Sequence, residues 1–232
     1  MKKYKHLFFD LDHTLWDFER CSSETLSELY FKHGFNELRP FTSQEQFYLA
    51  FRRINFSLWG LYNRGEVTKA EIRDNRFKMI FEAVGWPGKH LPPGIGHEYL
   101  YTCPAKPHLL PRTRELLEYL QNRYTMHILT NGFEDVQGLK LRSSGIDGFF
   151  ATVTTSECTG FKKPKREIFE HALQKAGAKV EDSLMVGDNL ETDIAGAESI
   201  NMDCVLYNPE RLDTKGNTCQ QVHCHSELKK ML

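Results

Sequence analysis

The 232-residue sequence has no long apolar run, almost no net charge and no paired-cysteine motif, and each absence narrows what the chain can be. No segment is long enough to span a bilayer. Behind the basic start Met1-Lys2-Lys3-Tyr4-Lys5 the apolar residues run only from Leu7 to Phe9 before Asp10 interrupts them, so no signal peptide is expected. With 30 basic and 31 acidic residues the formal net charge is −1, so no overall field draws the chain to polymeric nucleic acid or to a membrane, and anion binding must be local. Cys21, Cys103, Cys158, Cys204, Cys219 and Cys224 lie far apart with no CxxC or zinc-like spacing, which fits reduced thiols in a cytoplasmic protein. The tail residues Cys219, His223, Cys224 and His225 are spaced irregularly, as in a solvated terminus or short strand rather than a zinc site. Internal repeats and low-complexity tracts are absent too.

The composition is that of a soluble globular protein, 40% hydrophobic and 26% charged. The length suits one large domain or a core with an inserted module, and is sufficient for an enzyme. Short apolar runs at Leu7–Phe9, Thr125–Leu129, Phe149–Thr154, Leu184–Val186 and Cys204–Tyr207 predict strands. Helical patterns at Pro111–Arg123, Glu134–Ser144, Lys165–Ala176 and Glu191–Ser199 separate the later runs, so the sequence predicts an α/β fold with a doubly wound parallel sheet. Between the first two strands the pattern is helical only, at Ser22–His33, Ser43–Tyr62 and Lys69–Val84, with a possible further helix near Ile95–Tyr101. Thr68 with Glu71 reads as a capping box. The division expected is a core of residues 1–16 and 106–232 and a helical insertion of residues 17–105.

In an open parallel sheet ligands bind beyond the carboxyl ends of the strands, so polar residues just after apolar runs carry most weight. Asp10 and Asp12 follow the first run in Phe9-Asp10-Leu11-Asp12-His13-Thr14-Leu15. Their spacing can bring two carboxylates together, where each raises the other's pKa unless a hard divalent cation intervenes. An acidic turn is the simpler alternative. Thr130-Asn131-Gly132 ends the second run with a hydroxyl and an amide, and Gly160-Phe161-Lys162-Lys163-Pro164 puts a lysine ahead of a helix. Leu184-Met185-Val186-Gly187-Asp188-Asn189 adds another acid, with Asp193 five residues on, where it could support a metal or cap a helix. His13 reads as a local structural residue.

The order acid pair, hydroxyl, lysine, acid resembles the haloacid dehalogenase superfamily of phosphohydrolases over residues 4–16 and 106–208. The motifs carrying the resemblance are Asp10-Leu11-Asp12-His13-Thr14, Thr130-Asn131, Lys163-Pro164, and Gly187-Asp188-Asn189 with Asp193. The resemblance implies a Rossmann-like core and a Mg²⁺-dependent phosphomonoester hydrolase that forms an aspartyl-phosphate on Asp10. Asp12 would act as acid and then base, its main-chain carbonyl also binding the metal. Thr130, Lys163 and the Asn131 amide would hold the phosphoryl oxygens. Asp10 and Asp188 would ligate Mg²⁺, and Asp193 would position metal-bound water or the lysine. The helical insertion looks like the cap of one branch of the superfamily. Its Asn55-Phe56-Ser57-Leu58-Trp59, Tyr62 and Gly65-Glu66-Val67-Thr68, with Leu15-Trp16-Asp17-Phe18-Glu19, resemble the pyrimidine 5'-nucleotidase subgroup. Asn55, Trp59 and Tyr62 are candidates for nucleotide specificity, although Trp59 also fits a core position beside Phe51 and Leu58. The alternatives are a phosphoglycolate or sugar-phosphate phosphatase, a 2-haloacid dehalogenase, which Asp12 argues against, a mutase, and a phospho-accepting signalling module. Oligomeric state is not legible in the sequence.

Overall fold

Three consecutive apolar side chains stopped by an aspartate suit a short strand buried on both faces, and Leu7, Phe8 and Phe9 form one at the centre of a sheet. The computed structural model describes residues 4–214, 216–217 and 219–232. The chain runs through β1 (His6–Phe9) and then four longer helices, α1 (Phe18–Lys32), α2 (Gln44–Arg64), α3 (Lys69–Ala83) and α4 (Ile95–Thr102). There follow α5 (Thr113–Leu120), β2 (Thr125–Thr130), α6 (Glu134–Ser143), β3 (Phe150–Thr155), the single turn α7 (Ser156–Thr159) and α8 (Arg166–Ala176). The remaining elements are β4 (Ser183–Gly187), α9 (Ala195–Ser199), β5 (Asp203–Tyr207), β6 (Gln220–Val222) and α10 (His225–Met231). Contacts divide the chain into two compact units, Met1–Phe18 with Pro107–Leu232, and Glu19–Lys106.

In the first unit the sheet order is β3-β2-β1-β4-β5-β6 and every neighbouring pair is parallel. The winding reverses beside β1, so the strand ends there form the crevice where such sheets take ligands. Phe9 pairs in register with Ile128 and Val186, so Asp10 leaves the sheet level with the ends of β2 and β4. Phe8, Leu129 and Met185 point to one face, where they pack with Ile168, Phe169 and Ala172 of α8 and Ala197 of α9. A Cβ on Gly196 would lie 2.3 Å from the Phe169 ring, so glycine is what lets α9 close on α8.

Three elements differ from the sequence expectation. Arg112 adopts φ 64°, a left-handed conformation through which a helix cannot run back to Pro111, so α5 starts at Thr113. The stretch from Leu190 to Ile194 is a π-turn, in which Ile194 N–H donates to the Asn189 carbonyl, and regular α-helix begins only at Ala195. The tail, read as a solvated terminus or a short strand, does form the short edge strand β6, but it adds a helix and buries Val222, His225 and Leu228, because β5 offers an edge and α5 an apolar face.

The helical unit is built on aromatic packing. Phe35, Phe47, Phe81 and Trp86 form one cluster, with centroid separations of 5.2 Å for Phe35–Trp86 and Phe81–Trp86. Phe51, Phe77 and Tyr99 form another. The Thr68–Glu71 capping box is formed, as is one between Ser43 and Gln46, so two of the helices start on satisfied backbone donors. No helix among the described residues is long and apolar enough to cross a membrane.

His127 of β2 sits under the sheet face with 1% exposure, stacked 4.7 Å from Phe8, its Nδ1 2.8 Å from Thr152 Oγ1 and its Nε2 3.1 Å from His6 Nδ1. Burial, and then the charge of His6, push its pKa down to about 4. The unfolded chain therefore binds a proton that the native state refuses between the ordinary histidine pKa of about 6.5 and the native value. Stability conferred by the neutral ring is complete above that window and is lost as pH falls through it. Urea midpoints should decline from pH 6.5 to pH 4, with a shallower decline in His127→Phe. Parallel declines in the two proteins would show that another group is responsible.

Candidate active site

The exit of β1 is shaped by a tight turn. Leu15 and Trp16 both donate their N–H to the Leu11 carbonyl, at 2.9 and 2.8 Å, and His13 N–H donates to the Trp16 carbonyl at 3.1 Å. His13 takes φ 61° to close this turn, and its exposed ring lies 5.0 Å from that of Phe18. Thr14 is buried and donates its Oγ1 to Asp188 Oδ1 at 3.1 Å. The Thr14 carbonyl lies 2.9 Å from Nε2 of the buried His225, so the C-terminal helix braces the turn. Neither bracing contact was legible in the sequence.

Asp10 is 7% exposed, and its backbone N–H donates to the Val186 carbonyl of β4 at 2.9 Å. Its Oδ1 accepts from Lys163 Nζ at 2.6 Å. The same ammonium donates to Asp193 Oδ1 at 2.6 Å and to the Leu129 carbonyl at 2.9 Å, so all three of its protons are used and the side chain is 2% exposed. The Asn131 side chain holds the lysine's own backbone, accepting from Lys163 N–H at 2.7 Å and donating to its carbonyl at 2.9 Å. This side-chain role was not anticipated. Asp193 Oδ2 accepts from Asn189 N–H at 3.1 Å, and a Cβ on Gly187 would lie 2.2 Å from that oxygen. The glycine of Gly187-Asp188 therefore makes room for Asp193 rather than supplying a special φ.

Asp12 faces a second lysine. Lys140 Nζ of α6 donates to both carboxylate oxygens, at 2.6 and 2.7 Å, and lies 4.7 Å from the centroid of the Trp16 ring. Gln137 Nε2 donates to Asp12 Oδ2 at 3.0 Å and reaches Thr130 Oγ1 at 3.4 Å, linking the ends of β1 and β2. A Cβ at Gly132 would collide with Gln137 Nε2 at 1.5 Å. Gln137 and Lys140 escaped the sequence reading because a glutamine and a lysine on a helix look solvated. The available signal was their i, i+3 spacing just after Thr130-Asn131-Gly132, which puts both on one helix face.

The sequence led us to expect Asp10 and Asp12 to raise each other's pKa. Instead, burial raises Asp10, Lys163 opposes it, and Asp193 and Asp188 add to the rise, for a value of about 8. Burial also pushes Asp12 up, but the Lys140 charge and the hydrogen bonds from Gln137 and Lys140 outweigh it and leave that carboxyl below its usual range. Asp188 is raised to about 7, by burial and then by Asp193, with Lys163 opposing. Lys163 loses charge stability through burial, but Asp10 and Asp193 more than restore it, so its pKa is raised.

Asp10, Asp188 and Asp193 each offer a carboxylate oxygen, and these oxygens lie within 4.8 Å of one another. Three carboxylates face one ammonium, which leaves two negative charges in excess. That excess, the all-oxygen donor set and the raised pKa values of Asp10 and Asp188 fit a hard divalent cation such as Mg²⁺. Thr130 is 2% exposed at the exit of β2, and its Oγ1 accepts from Gly132 N–H at 3.0 Å. Asn55, Trp59 and Tyr62 belong to the helical unit: Asn55 and Tyr62 are buried, Trp59 is half-buried, and the Trp59 and Tyr62 rings meet edge-on at 5.4 Å.

Known proteins resemble this chain over most of its length. Residues 4–201 match the family described as haloacid dehalogenase-like hydrolase. The pyrimidine 5'-nucleotidase PynA of Streptococcus pneumoniae is 29% identical over 231 residues, covering 97% of this chain and 93% of that protein. A glyceraldehyde 3-phosphate phosphatase of Methanothermobacter thermautotrophicus is 31% identical over 211 residues, covering 89% and 86%. The crystal structure of the HAD-hydrolase YfnB of Bacillus subtilis bound to magnesium superposes with a TM-score of 0.87 at 27% identity, covering 100% of this chain and 99% of that one. A match over most of the chain, on a six-stranded parallel sheet with acids and a lysine at the ends of its central strands, leaves one assignment: the chain belongs to the haloacid dehalogenase-like hydrolases.

Proposed function

We propose that the protein hydrolyses pyrimidine nucleoside 5'-monophosphates in a Mg²⁺-dependent reaction that passes through an aspartyl-phosphate on Asp10. The observation that carries the reading is the opposite environment of the two aspartates, one in the lysine-and-acid cluster and one held by Lys140 and Gln137. Asp10 is raised because its cluster carries more carboxylates than its one ammonium can offset, and a divalent cation there would return it to the ionised form a nucleophile needs, while Asp12 has a separate lysine.

Asp10 is the nucleophile, because its carboxylate stands at the end of the central strand with Lys163 beside it. Attack on phosphorus splits hydrolysis into two displacements. Lys163 offsets the negative charge that nucleophile and phosphoryl group bring together. Asp10, Asp188 and the Asp12 main-chain carbonyl would hold Mg²⁺, which neutralises phosphoryl oxygens when bound. Asp193 has one oxygen on Lys163 and the other on Asn189 N–H, so we assign it to holding the lysine in place rather than to the metal directly. Thr130 at the exit of β2 binds a phosphoryl oxygen together with the Asn131 amide. Asp12, ionised at rest beside Lys140 and Gln137, would take the proton of a monoanionic phosphate ester and pass it to the leaving alkoxide, which returns it to the carboxylate that those two residues stabilise. That carboxylate then takes a proton from the water that attacks the aspartyl-phosphate.

The nucleotide preference rests on the likeness to PynA and on the resemblance in the helical unit, where Asn55, Trp59 and Tyr62 are the specificity candidates. The likeness to a glyceraldehyde 3-phosphate phosphatase supports a sugar-phosphate enzyme as the second reading.

Asp10→Asn should lower phosphatase turnover by about 10⁴-fold or more while leaving the far-ultraviolet spectrum and melting temperature close to those of the unaltered protein. Normal turnover would remove Asp10 from the nucleophile role. Asp12→Asn should cost about 10²- to 10⁴-fold, the usual worth of a general acid–base. Chelation should abolish activity and Mg²⁺ restore it, with Asp188→Asn needing more Mg²⁺ for half-maximal rate. In a panel of uridine and thymidine monophosphates, purine monophosphates, glyceraldehyde 3-phosphate and phosphoglycolate, the pyrimidine nucleotides should show the highest kcat/KM. A preference for the sugar phosphates would favour the second reading.

A further inference from the structure

Almost every buried polar side chain in the α/β unit is hydrogen-bonded, Lys163, Lys140, Asn131 and Thr113 among them. Arg76 and Asn55 of the helical unit each bury a polar atom that is not. Arg76 of α3 is 5% exposed, yet among the described residues no carboxylate pairs with it and its Nε has no hydrogen-bond partner. Its guanidinium lies over the rings of Phe51 at 5.9 Å and Tyr99 at 5.4 Å. Asn55 of α2 is 7% exposed, and its Oδ1 likewise has no donor. Asn55 follows Phe51 by four residues, so it stands one turn further along the helix face that Phe51 presents to Arg76.

A buried guanidinium without an anion and a buried amide oxygen without a donor are each costly, and native structures leave such groups unpaired where a ligand completes them. The two have complementary needs. Arg76 can only donate and so requires an acceptor, whereas Asn55 Oδ1 can only accept and so requires an N–H or O–H. A ligand that satisfies both presents a donor beside an acceptor. The ring edge of uracil or thymine does this with its N3–H flanked by carbonyl oxygens, and cytosine does it with its exocyclic amine beside N3. The planar guanidinium, already flanked by aromatic rings, suits a flat partner.

We propose that Asn55 and Arg76 form the recognition pair for the pyrimidine ring, Asn55 Oδ1 accepting from the ring's donor and Arg76 donating to the adjacent ring acceptor. The proposal rests on the nucleotidase reading and goes further, because it names the atoms that read the base. The helical unit then supplies selectivity and the α/β unit the chemistry.

N3-methyluridine monophosphate keeps both carbonyls but lacks the ring N–H, so it tests the Asn55 contact atom by atom. The full-length protein should prefer uridine monophosphate over the methylated analogue by about 100-fold in kcat/KM, as expected for a site left with an unpaired buried group. Asn55→Leu should bring that ratio close to one. Arg76→Met should lower the kcat/KM ratio of uridine monophosphate to p-nitrophenyl phosphate by about 100-fold. Because both variants remove an unpaired buried polar group, their melting temperatures should equal or exceed that of the unaltered protein. Retained discrimination against the methylated nucleotide in Asn55→Leu overturns the proposal. So does a fall in melting temperature in Arg76→Met with an unchanged substrate ratio, which would make the arginine structural. A parent protein that prefers glyceraldehyde 3-phosphate to every pyrimidine nucleotide removes the nucleotidase reading itself. A pyrimidine-preferring parent indifferent to N3-methylation overturns the recognition pair alone.

Discussion

The ammonium of Lys163, sealed from solvent and shared among Asp10, Asp193 and the Leu129 carbonyl, is the interaction on which the α/β unit's active end depends. A charge in that position is tolerable only when every proton has an acceptor and the opposing charge lies close. The contacts that meet this condition come from the ends of β1 and β2 and from the turn after β4, while the lysine itself comes from the loop after β3. Asn131 holds that loop by its backbone, and the glycine at 187 lets Asp193 approach. Breaking any one contact removes one of the three acceptors that the buried ammonium uses. The arrangement that binds the strand ends together is therefore also the one that presents the Asp10 carboxylate.

Asp10 and Asp12 are only two residues apart, and the structure keeps their charges from acting on each other by giving each its own lysine. The chain leaves the extended conformation after Phe9 and folds into the turn closed by Leu11, His13 and Trp16. Asp12 thereby reaches α6, where Lys140 and Gln137 favour its ionised form, while Asp10 stays in a cluster with too many carboxylates for its single ammonium. Opposite pKa shifts in neighbouring aspartates follow from this geometry.

The helical unit is organised on a different principle. Aromatic packing and capped helix starts stabilise it, and its buried polar groups are few. Asn55 and Arg76 stand out as residues that bury a polar atom without a hydrogen-bond partner, against the ordinary requirement of a folded interior that hidden donors and acceptors be paired.

The alternation of apolar runs with helical patterns was enough to predict a parallel α/β sheet, because strands buried on both faces and crossover helices have different hydrophobic periods. The order of Asp10, Thr130, Lys163 and Asp188 along the chain was enough to indicate the family, since Asp10, Thr130 and Asp188 stand at strand ends and Lys163 in the connection that follows β3. The sequence could not show which side chains turn toward which. Lys140 and Gln137 look like surface residues of a helix, Asn131 like a turn former, and His225 like part of a loose tail. Their roles depend on contacts 32 to 211 residues apart in the chain, Asn131 with Lys163 and His225 with Thr14 at the extremes. Local patterns carry the period of each element and the polar residue at its end. Only the folded chain decides which distant partner neutralises a buried charge, because that depends on where separate strand ends meet.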